Sequence, residues 1–318
     1  PVRGFHLNTL ASTLTTWQEV VEKFLTANDQ MKKGNVELMK VWTNTEMGQT
    51  WEEDGETIED DELMKRREKY KCEVPEEVLY LTAGVDTQDD RFEIEVVGWG
   101  PEYESWGIRY AAIYGDNSDI NNQVWQDLDT FLLQTFEKPD GTKMKLSCVC
   151  IDSGGHRTNQ VYKFCKARFN RRVFAIKGSN DSAAAYIQKP SKSNREGAYL
   201  FTLGVDTGKS LLMDRLKLEE EGPGFCHFPK EEGKGYDEKY FKGLTSEKKV
   251  MRYKMGRPYF AWELKDKGEH KRNEALDCRN YATAAIEIIN VPLKKPDKKK
   301  DATQAKKIVK RGRRRSGG

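Results

Sequence analysis

Apolar residues follow two different periods along this chain, and the period changes near residue 78. In residues 15–34 they recur every three or four positions, which is the spacing of one buried helical face. A second helical pattern covers residues 60–70, with Asp60 or Asp61 as its N-cap. Residues 41–57 lack either period and are predicted to be a loop-rich connector. The N-terminal quarter is therefore predicted to form helices and loops.

Strand-like runs begin at residue 78 and are joined by short polar turns. Three of them lie at residues 78–86, 91–100 and 104–115, and turns this short favour an antiparallel meander. The pattern then predicts a helix (119–136, with Asp119 as N-cap), a strand (145–152), a helix (159–169) and a strand (171–178). This β-β-β-α-β-α-β order, with the first strand central, predicts an RNase H-like α/β fold in which helices flank a mixed sheet.

The remainder of the chain is less regular. It contains a polar loop, then a strand and a helix, then two possible edge strands and a closing helix, at residues 179–197, 198–216, 224–230, 258–265 and 273–290. We therefore predict three regions, namely a helical connector (1–77), one folded domain (78–290) and a tail (291–318).

The tail differs from the rest of the chain in charge. It holds twelve Lys/Arg and two Asp, a local charge of +10, whereas the whole chain has +3, which leaves −7 on the other 290 residues. With so few apolar residues the tail is predicted to be disordered until bound. The acidic body excludes a protein that coats DNA through uniform positive charge. No apolar run approaches the roughly 18 residues that span a bilayer, so we expect a soluble, intracellular protein without a membrane partner.

Cysteine and histidine spacing indicates no metal or disulfide framework. The six cysteines include no CxxC pair, and the four histidines are scattered. Cys226 and His227 are neighbours, but they lack the second pair that a tetrahedral zinc site requires. We therefore expect neither disulfides nor structural zinc, and we expect packing or solvated roles for the histidines.

Three aspartates occupy positions that suit metal ligands. Asp86 ends the first strand, Asp152 ends the fourth, and Asp277 lies on the closing helix. Such hard oxygen ligands bind Mg²⁺ or Mn²⁺, and two of these ions about 4 Å apart support phosphodiester hydrolysis. An acidic residue after a strand is, taken singly, more often a turn or cap residue. The order of all three is what favours a two-metal site.

Two further residues are candidates for the same site. Glu274 shares a helical face with Asp277, three residues on, and is predicted to be an outer metal ligand or a solvated acid. Lys177 lies at the end of a strand, where it would contact the scissile phosphate or remain solvated. The predicted catalytic residues are Asp86, Asp152, Asp277 and Lys177, and the predicted metal ligands are Asp86, Asp152, Asp277 and Glu274.

Residues 204–210 are similar to a phosphate-binding loop, and this opens an alternative. Three residues separate Gly204 from Gly208 where the P-loop has four, so a tight strand-to-helix turn is the favoured interpretation. Actin-like ATPases and sugar kinases share the core fold, which makes a nucleotide phosphotransferase the second hypothesis. Against it, Thr87 follows Asp86 where a phosphate loop needs glycine. The third hypothesis is a non-catalytic assembly module that positions the basic tail on a partner.

Ordered sequence blocks add a family resemblance. The chain resembles the C-terminal half of the large terminase subunit of lambda-like tailed phages, the GpA family, over about residues 4–290. The likeness rests on blocks that include NTEMGQTWEEDGE, LTAGVDTQDDRFEIEVVGWG, CIDSGG, VFAIKG, LGVDTGK and NEALDCRNYA.

This resemblance implies a function and a set of partners. It implies a metal-dependent endonuclease domain of a DNA-packaging motor, which cuts concatemeric double-stranded DNA in the host cytoplasm. Asp86, Asp152 and Asp277 fall on the family's acidic metal-binding positions. Residues 1–77 would be the connector and the end of an upstream ATPase half, and the tail would dock to the portal of the procapsid. A small terminase subunit would direct the cut, and a homo-oligomer would act in the full motor.

Overall fold

The computed structural model describes residues 7–32, 37–49, 58–254, 257–265 and 272–294. Its helices are α1 (Trp17–Lys32), α2 (Glu37–Thr45), α3 (Asp60–Lys65), α4 (Gln123–Leu132), α5 (Thr158–Ala167), α6 (Val205–Leu216), α7 (Glu238–Leu244) and α8 (Glu274–Ile289). Its strands are β1 (Tyr80–Thr87), β2 (Arg91–Trp99), β3 (Ser105–Tyr114), β4 (Phe136–Glu137), β5 (Lys143–Met144), β6 (Leu146–Asp152), β7 (Val173–Gly178), β8 (Leu200–Leu203), β9 (Cys226–His227), β10 (Glu247–Lys254) and β11 (Arg257–Leu264).

The chain divides into two compact units. Unit 1 comprises Pro1–Thr57 and Thr245–Asn273, and unit 2 comprises Ile58–Leu244 and Glu274–Gly318. The three-region division of the sequence stays a prediction, and most of its tail, residues 295–318, lies outside the described residues. No helix within the described ranges is long and apolar enough to cross a membrane.

Helices α1 and α2 of unit 1 pack through aromatic side chains. The ring centroids of Phe24 and Trp42 lie 4.9 Å apart, and the Trp42 indole N–H donates to the Val20 carbonyl at 3.0 Å. Because Trp42 is anchored on α1 in this way, α2 extends to Thr45. The first residues of the stretch 41–57 are therefore helical, and the prediction of a loop there is wrong.

A seven-stranded sheet forms the centre of unit 2. Its order is β8-β7-β6-β1-β2-β3-β9, with β1 in the middle. Strands β1, β2 and β3 form the antiparallel meander, while β6 runs parallel to β1, and β7 and β8 continue in the same direction. The predicted fold class, an RNase H-like mixed sheet flanked by helices, is confirmed, and β8 with α6 extends it.

The two faces of this sheet bury different kinds of side chain, because successive residues of a strand point to opposite sides. On one face, Leu81, Ala83 and Val85 of β1 join a continuous apolar core with the buried sides of α4 and α5. On the other face, Thr82, Gly84 and Asp86 lie towards α8. Among the described residues, this second face is the one on which the strands bury acidic side chains such as Asp86, Glu93 and Glu95 together with apolar ones.

Gly84 allows α8 to approach β1 closely. A Cβ atom at this position would lie 2.0 Å from the carbonyl oxygen of Cys278 and 2.6 Å from the amide nitrogen of Ala282. The Thr82 hydroxyl donates to the Ala282 carbonyl at 2.8 Å, which fixes the helix over the strand. A larger residue at position 84 would push α8 away from the sheet, and with it Asp277, which precedes Cys278.

Two predicted N-caps are wrong. Glu59 is the N-cap of α3, and Asp60 and Asp61 instead lie in its first turn, where negative charge still favours the helix dipole. Asn122 is the N-cap of α4, because Asp119 accepts a hydrogen bond from a backbone amide in the preceding turn.

Some predicted elements differ in length or pairing. Helix α4 ends at Leu132 rather than near residue 136, because the chain then turns into the small hairpin β4–β5. The predicted strand at 224–230 is the two-residue β9 at the sheet edge. The predicted strand at 258–265 pairs with β10 in unit 1 and is not an edge of the main sheet.

Candidate metal centre

Asp86 and Asp152 end neighbouring parallel strands. Val85 of β1 is in register with Ile151 of β6, so the two aspartates that follow lie side by side at the carboxyl ends of the strands. The Thr87 hydroxyl donates to the backbone carbonyl of Asp152 at 2.9 Å and ties the two strand ends together. The structure therefore brings together the two strand-end carboxylates that the sequence predicted.

Asp277 reaches the same place from α8. It lies in the first turn of this helix, and the next residue, Cys278, directs its thiol to the carbonyl oxygen of Glu93 at 3.1 Å. Glu93 is the residue of β2 that pairs with Asp86. The start of α8 thus lies over the ends of β1 and β2, and we call Asp86, Asp152 and Asp277 the aspartate group.

Burial disfavours the ionised forms of Asp86 and Asp152. Asp86 is only 5% exposed. Burial raises the pKa of Asp86 to about 8, the charges of Asp277 and Asp152 add to the effect, and a hydrogen bond from Gln88 opposes it. Burial also raises the pKa of Asp152, against hydrogen bonds from backbone amides and the charge of Lys177. Such a site favours a bound cation.

The aspartate group is wider than a compact single-ion site. Within the described ranges, its oxygens do not all come within 4.8 Å of one another. Asp86 nevertheless feels the charge of both other members.

Lys209 also belongs to this site, and the sequence analysis did not identify it. Its ammonium group lies 3.1 Å from Oδ1 of Asp277, and its side chain is almost fully buried. Gly208 makes this approach possible, because a Cβ there would lie 2.3 Å from Oδ1 of Asn280 on α8. Gly204 is the N-cap of α6, so residues 204–210 form a strand-to-helix turn, as the sequence favoured. The signal available in the sequence was a Gly-Lys pair on a short helix, which does not indicate a partner.

The two remaining candidates lie near the aspartate group in different environments. Oε1 of Glu274 accepts a hydrogen bond from Arg91 at 2.6 Å, so one of its carboxylate oxygens already has a cationic partner. Lys177 is exposed, next to the residue of β7 that pairs with Asp152, and its charge acts on Asp152. Their roles as ligand and phosphate contact stay predictions.

A second set of carboxylates, two on β2 and one on α8, is neutralised by the protein itself. We call Glu93, Glu95 and Glu274 the glutamate group. Arg91 bonds to Glu93 at 2.8 Å as well as to Glu274, and the Tyr110 hydroxyl donates to Glu93. The carboxylate of Glu95, fully buried, accepts from Arg279 at 2.6 Å and from the hydroxyls of Tyr240 and Tyr236 at 2.7 and 3.1 Å. These carboxylates are structural partners of cations that the chain supplies.

Comparison with known proteins identifies the family. Residues 2–299 match the family described as terminase large subunit gpA, endonuclease domain. The chain therefore belongs to this family, as the sequence blocks indicated, and it is the nuclease region of a phage terminase large subunit.

Two curated relatives support the assignment. The large terminase subunit of Escherichia phage lambda is 37% identical over 290 residues, and that of Enterobacteria phage P21 is 33% identical over 290 residues. Each alignment covers 89% of this chain and 43% of the relative, so the chain spans less than half the length of these proteins. A solved mutant nuclease domain of the large terminase subunit gp2 of bacterial virus Sf6, with manganese, is 17% identical with a TM-score of 0.44, over 70% of this chain and 96% of that one.

Proposed function

We propose that this domain is a metal-dependent endonuclease that cuts concatemeric double-stranded phage DNA by two-metal phosphodiester hydrolysis. The observation that carries the proposal is the buried carboxyl of Asp86, which lies at a strand end beside Asp152 and Asp277 with a pKa raised to about 8. A protein interior does not retain such a concentration of carboxylates without a use for it. Membership of the endonuclease family supports the same conclusion.

The donor set fits Mg²⁺ or Mn²⁺, because the aspartate group offers carboxylate oxygens and no nitrogen or sulfur ligand. Asp86 would be the shared ligand, with Asp152 and Asp277 as the outer ligands. When bound, two such ions activate a water molecule and stabilise the leaving oxygen. Lys209 holds Asp277 in place before the ions bind, and Gln88 does the same for Asp86. Glu274 would orient the start of α8 through Arg91.

The charge of the site affects how this domain binds DNA. Those carboxylates of the aspartate group that are ionised repel phosphates, so we expect DNA binding by this domain to depend on divalent cations. Exposed Lys177, next to Asp152, would contact the scissile phosphate. We expect DNA affinity to rise with Ca²⁺, which supplies charge at the site. If affinity is indifferent to Ca²⁺ but falls steeply with NaCl, the basic tail is the main contact.

The remaining assignments follow the family resemblance. In the host cytoplasm, residues 291–318 would dock to the portal of the procapsid, and a small terminase subunit would direct the cut. Two copies of the chain would cut the two strands, because each copy has one candidate site. Deleting residues 291–318 should leave plasmid cleavage intact and reduce binding to procapsids. Loss of cleavage on this deletion would contradict the division of roles.

Plasmid cleavage tests the proposal directly. With Mn²⁺, the wild-type protein should nick or linearise supercoiled plasmid, and Asp86→Asn should abolish this. Asp89→Asn is the matched control, because Asp89 lies in the same acidic turn but is exposed and contacts His156 instead of the aspartate group. Equal cleavage by wild type and Asp86→Asn would show that the site is wrongly assigned. Equal loss in both variants would point to the turn and not to the metal ligand.

A further inference from the structure

A second group of potential metal ligands lies at the edge of the sheet. One carboxylate oxygen of Glu68, one of Glu221 and a ring nitrogen of His227 all lie within 4.8 Å of one another. Sequence spacing does not reveal this group, because Glu68 is 159 residues from His227. We propose that Glu68, Glu221 and His227 bind a divalent transition-metal ion such as Zn²⁺, in a site separate from the nuclease centre.

The register of the sheet separates this site from the aspartate group. His227 of β9 pairs with Trp106 of β3, which lies across the sheet at the level of Leu81, near the start of β1. Asp86 lies five residues further along β1, which is about 17 Å at the rise of an antiparallel strand. Two further strands, β2 and β3, lie between β1 and β9. The two sites cannot share a ligand or an ion.

Two aromatic rings and a carboxylate fix the orientation of the His227 imidazole, as is usual for a histidine that binds a metal ion. Its ring stacks on Trp106 with centroids 4.8 Å apart and an angle of 3°, and Phe225 packs against it at 4.7 Å. Its Nε2 lies 3.1 Å from Oε1 of Glu104. A carboxylate that accepts the hydrogen of one ring nitrogen fixes the tautomer and leaves the other nitrogen as a ligand. Nδ1 is therefore the nitrogen that faces the group.

A metal ion can take the place of a proton between Nδ1 and Glu68. Once Nε2 carries the hydrogen shared with Glu104, Nδ1 is an electron-pair donor, and it lies 2.8 Å from Oε1 of Glu68, a second such donor. A proton can be shared between two electron-pair donors but not among three. Glu221 supplies a third donor to the same point, and this favours a metal ion. An imidazole ligand favours zinc-like ions over Mg²⁺.

The backbone holds two of the three ligands in a fixed relation. The amide of Glu68 donates to the carbonyl of Phe228 at 3.0 Å, and the amide of Lys230 donates to the carbonyl of Glu68 at 2.8 Å. The segment after α3 is therefore bonded to the chain that carries His227. Glu221 lies on the loop after α6, so a bound ion would join three separate segments of unit 2. We infer that the site is structural and stabilises this edge of the sheet.

Zn²⁺ titration of matched variants tests the proposal. All variants carry Asp86→Asn, so that binding at the nuclease centre is weakened equally. Glu220→Gln is the control for Glu221→Gln, because both residues are exposed and adjacent. The parent and Glu220→Gln should bind one Zn²⁺ and unfold at a higher temperature when it is present. Glu221→Gln should bind at least tenfold more weakly and lose that thermal shift.

Two further measurements separate a metal ion from a proton. Glu104→Gln should weaken Zn²⁺ binding by about 10- to 100-fold, the usual effect of losing a carboxylate behind a histidine ligand. X-ray absorption of the Zn²⁺ complex should show one imidazole ligand. Equal Zn²⁺ affinity in Glu221→Gln and Glu220→Gln would overturn the proposal. So would a nitrogen NMR signal showing both His227 ring nitrogens protonated at saturating Zn²⁺, which would make His227 an imidazolium bridge between Glu68 and Glu104.

Discussion

The aspartate group and the glutamate group both lie at helix α8, yet they differ in the basic side chains that the protein provides to them. Arg91 and Arg279, with tyrosine hydroxyls, neutralise Glu93, Glu95 and Glu274 at distances of 2.6–2.8 Å. Burial raises the pKa of Glu95 as well as that of Asp86, but Arg279 opposes the increase at Glu95. At Asp86 the charges of Asp277 and Asp152 add to the increase, and the pKa rises to about 8. The chain supplies cations to one group and leaves the other short of them. If the aspartate group binds external ions, as we propose, the shortage of basic partners is what distinguishes it from the glutamate group.

Lys209 is a basic side chain that the protein does provide to the aspartate group. It neutralises Asp277 at 3.1 Å, but the structure places no comparable ion pair on Asp86 or Asp152 within the described ranges. The lysine would keep α8 in place without ions and would release Asp277 when they bind.

The largest expected effect comes from removing the cation of the glutamate group. Arg279→Met leaves Glu95 buried without its guanidinium partner, and breaking such a pair costs about 3–5 kcal/mol of unfolding free energy. Urea denaturation followed by near-UV circular dichroism measures this loss. Adding Glu95→Gln to Arg279→Met should recover part of it. An unchanged unfolding midpoint in Arg279→Met would mean that the pair is not structurally important.

Removing a carboxylate from the aspartate group should instead stabilise the metal-free protein. The folded protein retains the Asp86 proton up to about pH 8, whereas the unfolded carboxyl releases it near its ordinary pKa of 3.8. The metal-free wild type should therefore lose stability as the pH rises between these values, by at most about 1.4 kcal/mol per pH unit. Asp86→Asn should remove this slope and be more stable than the wild type at pH 8.

Thermal unfolding in EDTA at several pH values measures that difference. Asp89→Asn, in the exposed turn, should retain the wild-type slope. The account would be contradicted if Asp86→Asn were less stable than wild type at pH 8, because Asp86 would then be a paired structural acid like those of the glutamate group.

A smaller effect is expected for substitution of Lys209. Lys209→Met removes the ammonium that competes with a metal ion for Asp277, so Mn²⁺ should bind about tenfold more tightly, equivalent to the roughly 1.5 kcal/mol of one charged hydrogen bond. Calorimetric titration with Mn²⁺ measures the affinity. Lys177→Met, which removes an exposed charge near Asp152, should change it less than threefold. Weaker Mn²⁺ binding in Lys209→Met would show that Lys209 supports the ion-bound arrangement instead.

The smallest effect is expected for Glu274, which the sequence analysis proposed as an outer metal ligand. Because Arg91 already binds its carboxylate at 2.6 Å, Glu274→Gln should change Mn²⁺ affinity less than threefold. The same titration decides the question, with Asp277→Asn as the positive control on the same helix. A tenfold loss of Mn²⁺ affinity in Glu274→Gln would show that Glu274 binds the metal ion together with the aspartate group.

Periodicity was sufficient to predict the sheet because each central strand buries one continuous apolar face. The strand order around β1 follows from that pattern together with short turns. Asp86 and Asp152 were predictable for the same reason, since each directly ends a buried strand. Asp277 was selected from an acidic pair on α8, and the family resemblance supported the choice.

Other features depend on contacts that are distant in sequence. Lys209 meets Asp277 only because Gly208 allows α6 and α8 to approach closely, and no local pattern encodes that distance. The length of α2 depends on Trp42 packing against α1. The group of Glu68, Glu221 and His227 comes from three separate segments, so sequence spacing did not reveal it.

Anomalous diffraction from crystals soaked in Mn²⁺ tests the central claim most directly. The account predicts two peaks about 4 Å apart, bounded by the carboxylates of Asp86, Asp152 and Asp277. It further predicts that neither peak contacts the carboxylates of Glu93 or Glu95. Absence of density in the aspartate group at saturating Mn²⁺, while the protein still cleaves DNA, would contradict the account.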